Sequence, residues 1–235
     1  MSRVKSALAL LKEYIKMFRV RYSRDYHEKV VSTYWENAPA THRNAEEQHF
    51  VFYATEIDKV IRRYIGDGEK LILDHGAGEG SIALHLSKLG YRVAASEKFE
   101  QYRTTLREKG LSVFDSENLP ENQFDAIIMN GAFYYIHPSL WKSEINRLLL
   151  SLKNGGYLFL TDVPTIQKMH LLKYGYTGLK KSLDVFVSRL TGVYQPTLGG
   201  FFVDEKIIKK WYPQTIVEDE WCYYRSHFII KKSLP

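Results

Sequence analysis

The sequence predicts an α/β fold with a mostly parallel sheet, and three observations carry that reading. Residues 71–80 read LILDHGAGEG: an apolar run, Leu71-Ile72-Leu73, closed by Asp74 and followed by glycines at 76, 78 and 80. The next ten residues, SIALHLSKLG, place Ile82, Leu86 and Leu89 on one helical face. Further short apolar runs at 91–96, 126–129 and 157–162 then alternate with helical stretches at 99–109 and 138–152. Strand, glycine turn and helix together bring a nucleotide-like ligand against backbone N–H groups and a helix N-terminus. A side chain at 76 or 78 would block that approach or forbid the dihedrals of the turn.

Taken in order, residues 2–22 read as an amphipathic helix. Val4, Leu8, Leu11, Ile15, Phe18 and Tyr22 form one apolar stripe, with Lys5, Lys12, Lys16 and Arg19 along one flank. The stripe is expected to pack on the protein's own body or on a second subunit, or to lie on an anionic membrane surface. Residues 26–47 are polar and mixed, and 45–65 read as a helix carrying Phe50, Ile57, Val60, Ile61 and Ile65. Pro138 suits the first turn of the helix at 138–152. From about 163 to 212 runs an insertion that holds Tyr174, Tyr176, Tyr194, Phe201, Phe202 and Trp211 and five glycines, expected to be a lid or substrate wall, with a helix at 179–190. Residues 215–222 and 224–232 read as the last two strands.

The glycine spacing is not that of a dinucleotide fingerprint, which would need glycine where Ser81 stands. D-x-G-x-G-x-G, with Glu97 17 residues after Gly80, Asp115 in VFDSENLPENQFD, the Phe124-Asp125 entry and the Asn154-Gly155-Gly156 turn, follow in order over residues 71–162. That series resembles the class I (Rossmann-like) S-adenosylmethionine (SAM) dependent methyltransferases of small-molecule type. The resemblance implies a seven-stranded sheet in the order 3-2-1-4-5-7-6 with strand 7 antiparallel, helices on both faces, N-terminal helices, and an insertion before strand 6. It implies SAM as cofactor, bound by Asp74, Gly76, Gly78, Gly80, Glu97 (ribose hydroxyls), Asp115 (adenine amino group) and Asn130. A segment before the core often covers the site in this family, and Tyr34, Trp35 and His42 are candidates for it. Residues 1–66 are then an N-terminal helical extension and cover, and 67–235 the methyltransferase domain.

Composition narrows the function. Residues 1–24 hold seven basic residues and one acid, Glu13, a net +6 that equals the charge of the whole chain. The remaining residues are balanced, with 26 of each sign. A broad basic surface for nucleic acid is therefore not expected. The single cysteine, Cys222, excludes an internal disulfide and a cysteine metal site, and its place late in the chain argues against cytosine C5 chemistry, which needs a cysteine nucleophile. No secretory signal or membrane-spanning run is read, and a cytoplasmic location follows, with contact at the inner membrane surface open.

Methyl transfer asks mainly for alignment and exclusion of water, and an alcohol acceptor also needs its proton removed. The loop at 130–137 faces the transferred methyl in the family. His137 is the first candidate base, set against a role capping the following helix. Tyr134 and Tyr135 are placed to orient an acceptor, and Asp162 lies at the mouth of the sheet to pair with His137 or bind the acceptor. Lys168, Lys173, Lys180 and Lys181 are candidates for an anionic group or a solvated face. No metal is expected. The leading expectation is methyl transfer to a small or medium acceptor at oxygen: a sugar, glycan end or phenol-like natural product. The alternatives are a SAM-fold scaffold without turnover and an RNA methyltransferase anchored by the basic N-terminal helix.

Overall fold

The computed structural model describes residues 2–37, 47–172, 179–195, 199–220 and 224–233. Its centre is a seven-stranded sheet in the order β3-β2-β1-β4-β5-β9-β8. The strands are β1 (Leu71–His75), β2 (Arg92–Glu97), β3 (Ser112–Asp115), β4 (Phe124–Asn130), β5 (Leu152–Pro164), β8 (Ile216–Asp219) and β9 (Arg225–Lys231). β1 to β5 pair in parallel, and β9 lies antiparallel to both β5 and β8. This is the expected order, with β9 as the reversed seventh strand.

Each strand sends alternate residues to opposite faces. Leu73, Ile127, Leu158 and Phe228 meet α6 (Trp141–Ser151), α1 (Ser2–Tyr22) and α8 (Leu179–Thr191). Ile72, Ile128, Phe159 and Ile229 meet α3 (Glu47–Ile65) and α4 (Ser81–Lys88). α5 (Glu100–Glu108) follows β2. Pro138 opens not the long helix itself but a single 3-10 turn, Pro138–Leu140, ahead of α6.

α1 corrects one expectation. Among its described side chains it buries Met17 and Val20, and Tyr14 packs beside them. The stripe Leu8, Leu11, Ile15, Phe18 and Tyr22 faces away from the body and is exposed, Tyr22 to 71%. The helix carries a second apolar line, and the core of the protein takes that one.

α2 (Arg24–Glu36) follows after a single residue, Ser23, whose hydroxyl accepts from Tyr26 N–H as an N-cap. The insertion holds α7 (Met169–Leu172), α8, the short pair β6 (Val193–Gln195) and β7 (Gly200–Phe201), and α9 (Glu205–Trp211). Tyr14 hydroxyl donates to Asp184 at 2.9 Å, tying α1 to α8. Lys168 is spent on Asp219 (2.6 Å) and the Arg225 carbonyl (2.7 Å), so it serves structure rather than a ligand. Lys173, His42 and Cys222 lie outside the described residues, as do the side chains of Lys180 and Lys181.

Candidate active site

β1 is buried between β2 and β4, so the chain leaves it at the carboxyl edge of the sheet and must turn at once into α4. Two glycines make the turn. Gly76 has φ +76, and a Cβ there would stand 3.0 Å from Ala132 Cβ in the loop after β4. Gly80 caps α4 at φ +83, and its Cβ would stand 2.5 Å from Leu106 Cδ2. Both positions combine left-handed backbone with no room. The turn opens into a cavity of about 400 Å³, within the usual range for small-molecule sites.

Asp74 lines this cavity and is almost wholly buried, and its Oδ2 has no hydrogen-bond partner among the described residues. Burial pushes its carboxyl up to about 7; the Ala83 N–H pulls the other way and the charge of Glu97 adds to the rise. Glu97, at the end of β2, accepts from Gly78 N–H at 2.9 Å through one oxygen and from Lys98 N–H at 2.7 Å through the other. The carboxylate is thus fixed at the cavity wall. Asp115 is its register partner on β3 but does not line the cavity. Its side chain is 42% exposed and faces Arg103 at 3.4 Å. His75, one residue past Asp74, turns to the other side. It bonds Ser96 Oγ (2.7 Å) and Glu144 (3.0 Å) and so fastens α6 to the sheet. Burial would raise Glu144, but His75 and Arg147 outweigh it and hold the carboxyl at about 2.

The loop after β4 supplies the opposite wall. Asn130 and Gly131 line the cavity, and Asn130 Oδ1 accepts from Thr161 hydroxyl at 2.9 Å. Tyr135 and His137 line it as well, whereas Tyr134 is buried behind them. His137 is not placed as a free base. Its Nε2 donates to the Arg21 carbonyl (3.1 Å), and its Nδ1 receives Ser139 N–H (3.3 Å) and stands 2.8 Å from Ser139 Oγ. Both nitrogens are taken, and the ring caps the 3-10 turn that Pro138 opens. Asp162 is also not paired with His137. Its carboxylate meets Arg225 at 2.5 Å, and a Cβ on Gly131 would stand 3.0 Å from its Oδ2, which puts Asp162 behind the cavity wall. Its φ of +58 is unusual for a residue with a side chain. Arg225 stacks over Tyr134 and Tyr194, and its guanidinium is held charged by Asp162 against the cost of burial. Glu220, buried near this pair, is pushed up to about 8 by burial and by the charge of Asp162.

α2 closes the cavity, through His27, Val31 and Trp35 rather than Tyr34. Tyr34 lies off that line and meets Trp35 edge-on at 5.2 Å. His27 is the residue that sequence reading missed. It is buried against His137 and Phe201, and its Nε2 lies 3.0 Å from the Gly199 carbonyl in the insertion. A carbonyl only accepts, so Nε2 carries the proton and Nδ1 keeps its lone pair. Among the described residues that buried nitrogen makes no hydrogen bond in its neutral state. Burial lowers the imidazole to about 4, while the carbonyls of Gly199 and Tyr135 favour its cation and limit the fall. The signal in the sequence was the i, i+4, i+8 line of His27, Val31 and Trp35.

A parallel sheet with a glycine turn, a buried acid beside it and a second acid at the end of β2 defines a Rossmann-like enzyme that binds a nucleoside-containing cofactor at its carboxyl edge. The family described as "Methyltransferase domain" matches residues 46–189, and the chain belongs to it. It is a class I methyltransferase. An uncharacterized methyltransferase of Staphylococcus carnosus is 27% identical over 141 residues, 56% of this chain and 67% of that one. A SAM-bound amino pentose methyltransferase of calicheamicin biosynthesis from Micromonospora echinaspora shares the fold with a TM-score of 0.59 at 14% identity, over 78% of this chain and 92% of that one. A plantazolicin methyltransferase in complex with a desmethyl analogue and S-adenosylhomocysteine aligns over 96% and 99% of the two chains, with a TM-score of 0.58 at 12% identity.

Proposed function

We propose that this protein transfers the methyl group of S-adenosyl-L-methionine to a hydroxyl oxygen of a small or medium acceptor, with a phenol-like ring preferred to a sugar. The residues present fit the cofactor. The unpaired, buried Oδ2 of Asp74 suits a cationic amino group, the fixed carboxylate of Glu97 suits a vicinal diol, and Phe99 and Tyr102 offer flat surfaces along the same wall. When bound, the cofactor supplies a methyl group on a sulfonium, already activated and with a neutral leaving group.

The remaining work falls to this chain. Trp35, Tyr135 and Ile136 offer an apolar wall that orients a ring and excludes water. His27 Nδ1 takes the proton of the acceptor hydroxyl, and the Gly199 and Tyr135 carbonyls favour the imidazolium that results. The observation that carries the oxygen reading is a histidine in the cavity wall whose Nε2–H is held by the Gly199 carbonyl, leaving Nδ1 as its basic nitrogen. The test is transfer from labelled SAM to a panel of phenols, sugars and amines by wild type, His27→Gln and His137→Gln. Wild type methylates a phenolic oxygen; His27→Gln lowers kcat about 100-fold or more with the SAM-induced rise in Tm retained. A methyl group found on nitrogen, or full activity in His27→Gln, overturns the oxygen reading; SAM binding with no transfer to any acceptor favours the scaffold.

A further inference from the structure

We propose that α1 docks this protein on the surface of an anionic lipid bilayer. The helix is held to the body by Met17, Val20 and Tyr14, and on its other side it leaves Leu8, Leu11, Ile15 and Phe18 exposed along three turns. A soluble surface does not ordinarily keep such a line open to water. The helix it is tied to behaves the same way: α8 exposes Leu183, Phe186 and Leu190, an i, i+3, i+7 line.

Charge decides the occupant. Lys12, Lys16 and Arg19 run along one edge of the α1 stripe, and Glu13 is the only acid in residues 1–24. An amphipathic helix with basic residues beside its apolar line suits the boundary between headgroups and acyl chains of an anionic leaflet. A second copy of this chain brings the same cations to the same edge, so pairing stripe to stripe gathers like charges instead of neutralising them. Among the described residues no helix is long and apolar enough to cross a membrane, so the contact is a surface one. The docked helix ends beside the cavity, because the Arg21 carbonyl holds His137 in the cavity wall.

The experiment is co-sedimentation of the full chain with vesicles of phosphatidylglycerol and phosphatidylcholine, and with phosphatidylcholine alone. Two exposed double variants accompany the wild type: Leu11→Ser with Phe18→Ser, and Lys12→Glu with Lys16→Glu. Circular dichroism melting confirms that both fold. The wild type partitions at least about tenfold more strongly onto the anionic vesicles, and each variant loses about tenfold or more of that binding. Equal partition onto both vesicles, binding retained in both variants, or no binding at all overturns the proposal. A dimer seen by analytical ultracentrifugation that Leu11→Ser with Phe18→Ser dissolves, without lipid binding by the wild type, assigns the face to a second copy instead. None of these readings uses methyl transfer, so the two proposals fail separately.

Discussion

Asp74 and His27 face one cavity and are both buried, yet pH acts on them in opposite senses. The folded-state carboxyl of Asp74 lies near 7, above its ordinary 3.8. Its burden on folding is absent below the ordinary carboxylate range and grows as pH rises from about 4 through 7. Asp74→Asn removes that burden. The variant is expected to melt about 3–6 °C higher than wild type at about pH 8, from a gain on the order of 1–2 kcal/mol. It is expected to lose most of the stabilisation that SAM confers, about 2.7 kcal/mol at a hundred times the dissociation constant. Thermal melts of both proteins with and without SAM check both halves. An Asp74→Asn protein that melts lower at every pH would mean that the carboxylate stabilises the fold instead. His27 has the reverse sign. Its folded pKa of about 4 lies below the ordinary 6.5, so its contribution is complete above about 6.5 and is lost as pH falls through 4, and His227 adds in the same direction.

At the scale of elements, the passage from β1 to α4 is closely packed. Gly80→Ala puts a methyl group 2.5 Å from Leu106 Cδ2 in a left-handed conformation. It is expected to cost about 1–3 kcal/mol, read as a lowered urea midpoint with an unchanged slope; an unaltered midpoint would show that α5 shifts freely. This passage was legible in the sequence because everything it needs is local: a strand, three glycines, and an acid at the end of the next strand. So was the order of the sheet. What lies across the cavity was not. Trp35 rather than Tyr34 faces inward because the phase of α2 is set by what it packs on. The role of His27 depends on a carbonyl 172 residues away. Asp162 finds Arg225 instead of His137 because β9 returns antiparallel along β5, pairing Pro164 with Arg225. In α1 the hydrophobic period was read correctly, but two apolar lines share the helix, and periodicity does not say which one the core takes.

For the molecule as a whole, the N-terminal helices are joined to the rest at several points: His27 to Gly199, Tyr14 to Asp184, His137 to Arg21, and Tyr102 to the Trp35 carbonyl at 3.0 Å. A clone beginning at residue 46, where the family match starts, removes one wall of the cavity and uncovers Phe201 and His137. It is expected to bind 8-anilinonaphthalene-1-sulfonate and to melt well below the full chain; an equal Tm would show the helices to be an appendage. The stretch matched by the family contains β1, its glycine turn and Glu97, while His27, Trp35 and Gly199 all stand outside residues 46–189. The family match therefore takes in the bank of the cavity that carries the glycine turn and stops short of the bank that carries His27 and Trp35. Two relatives can agree at every glycine and still choose unrelated acceptors, so a search for this enzyme's true counterparts in other genomes should be scored on residues 24–36 and 199–203 before the glycine turn is consulted.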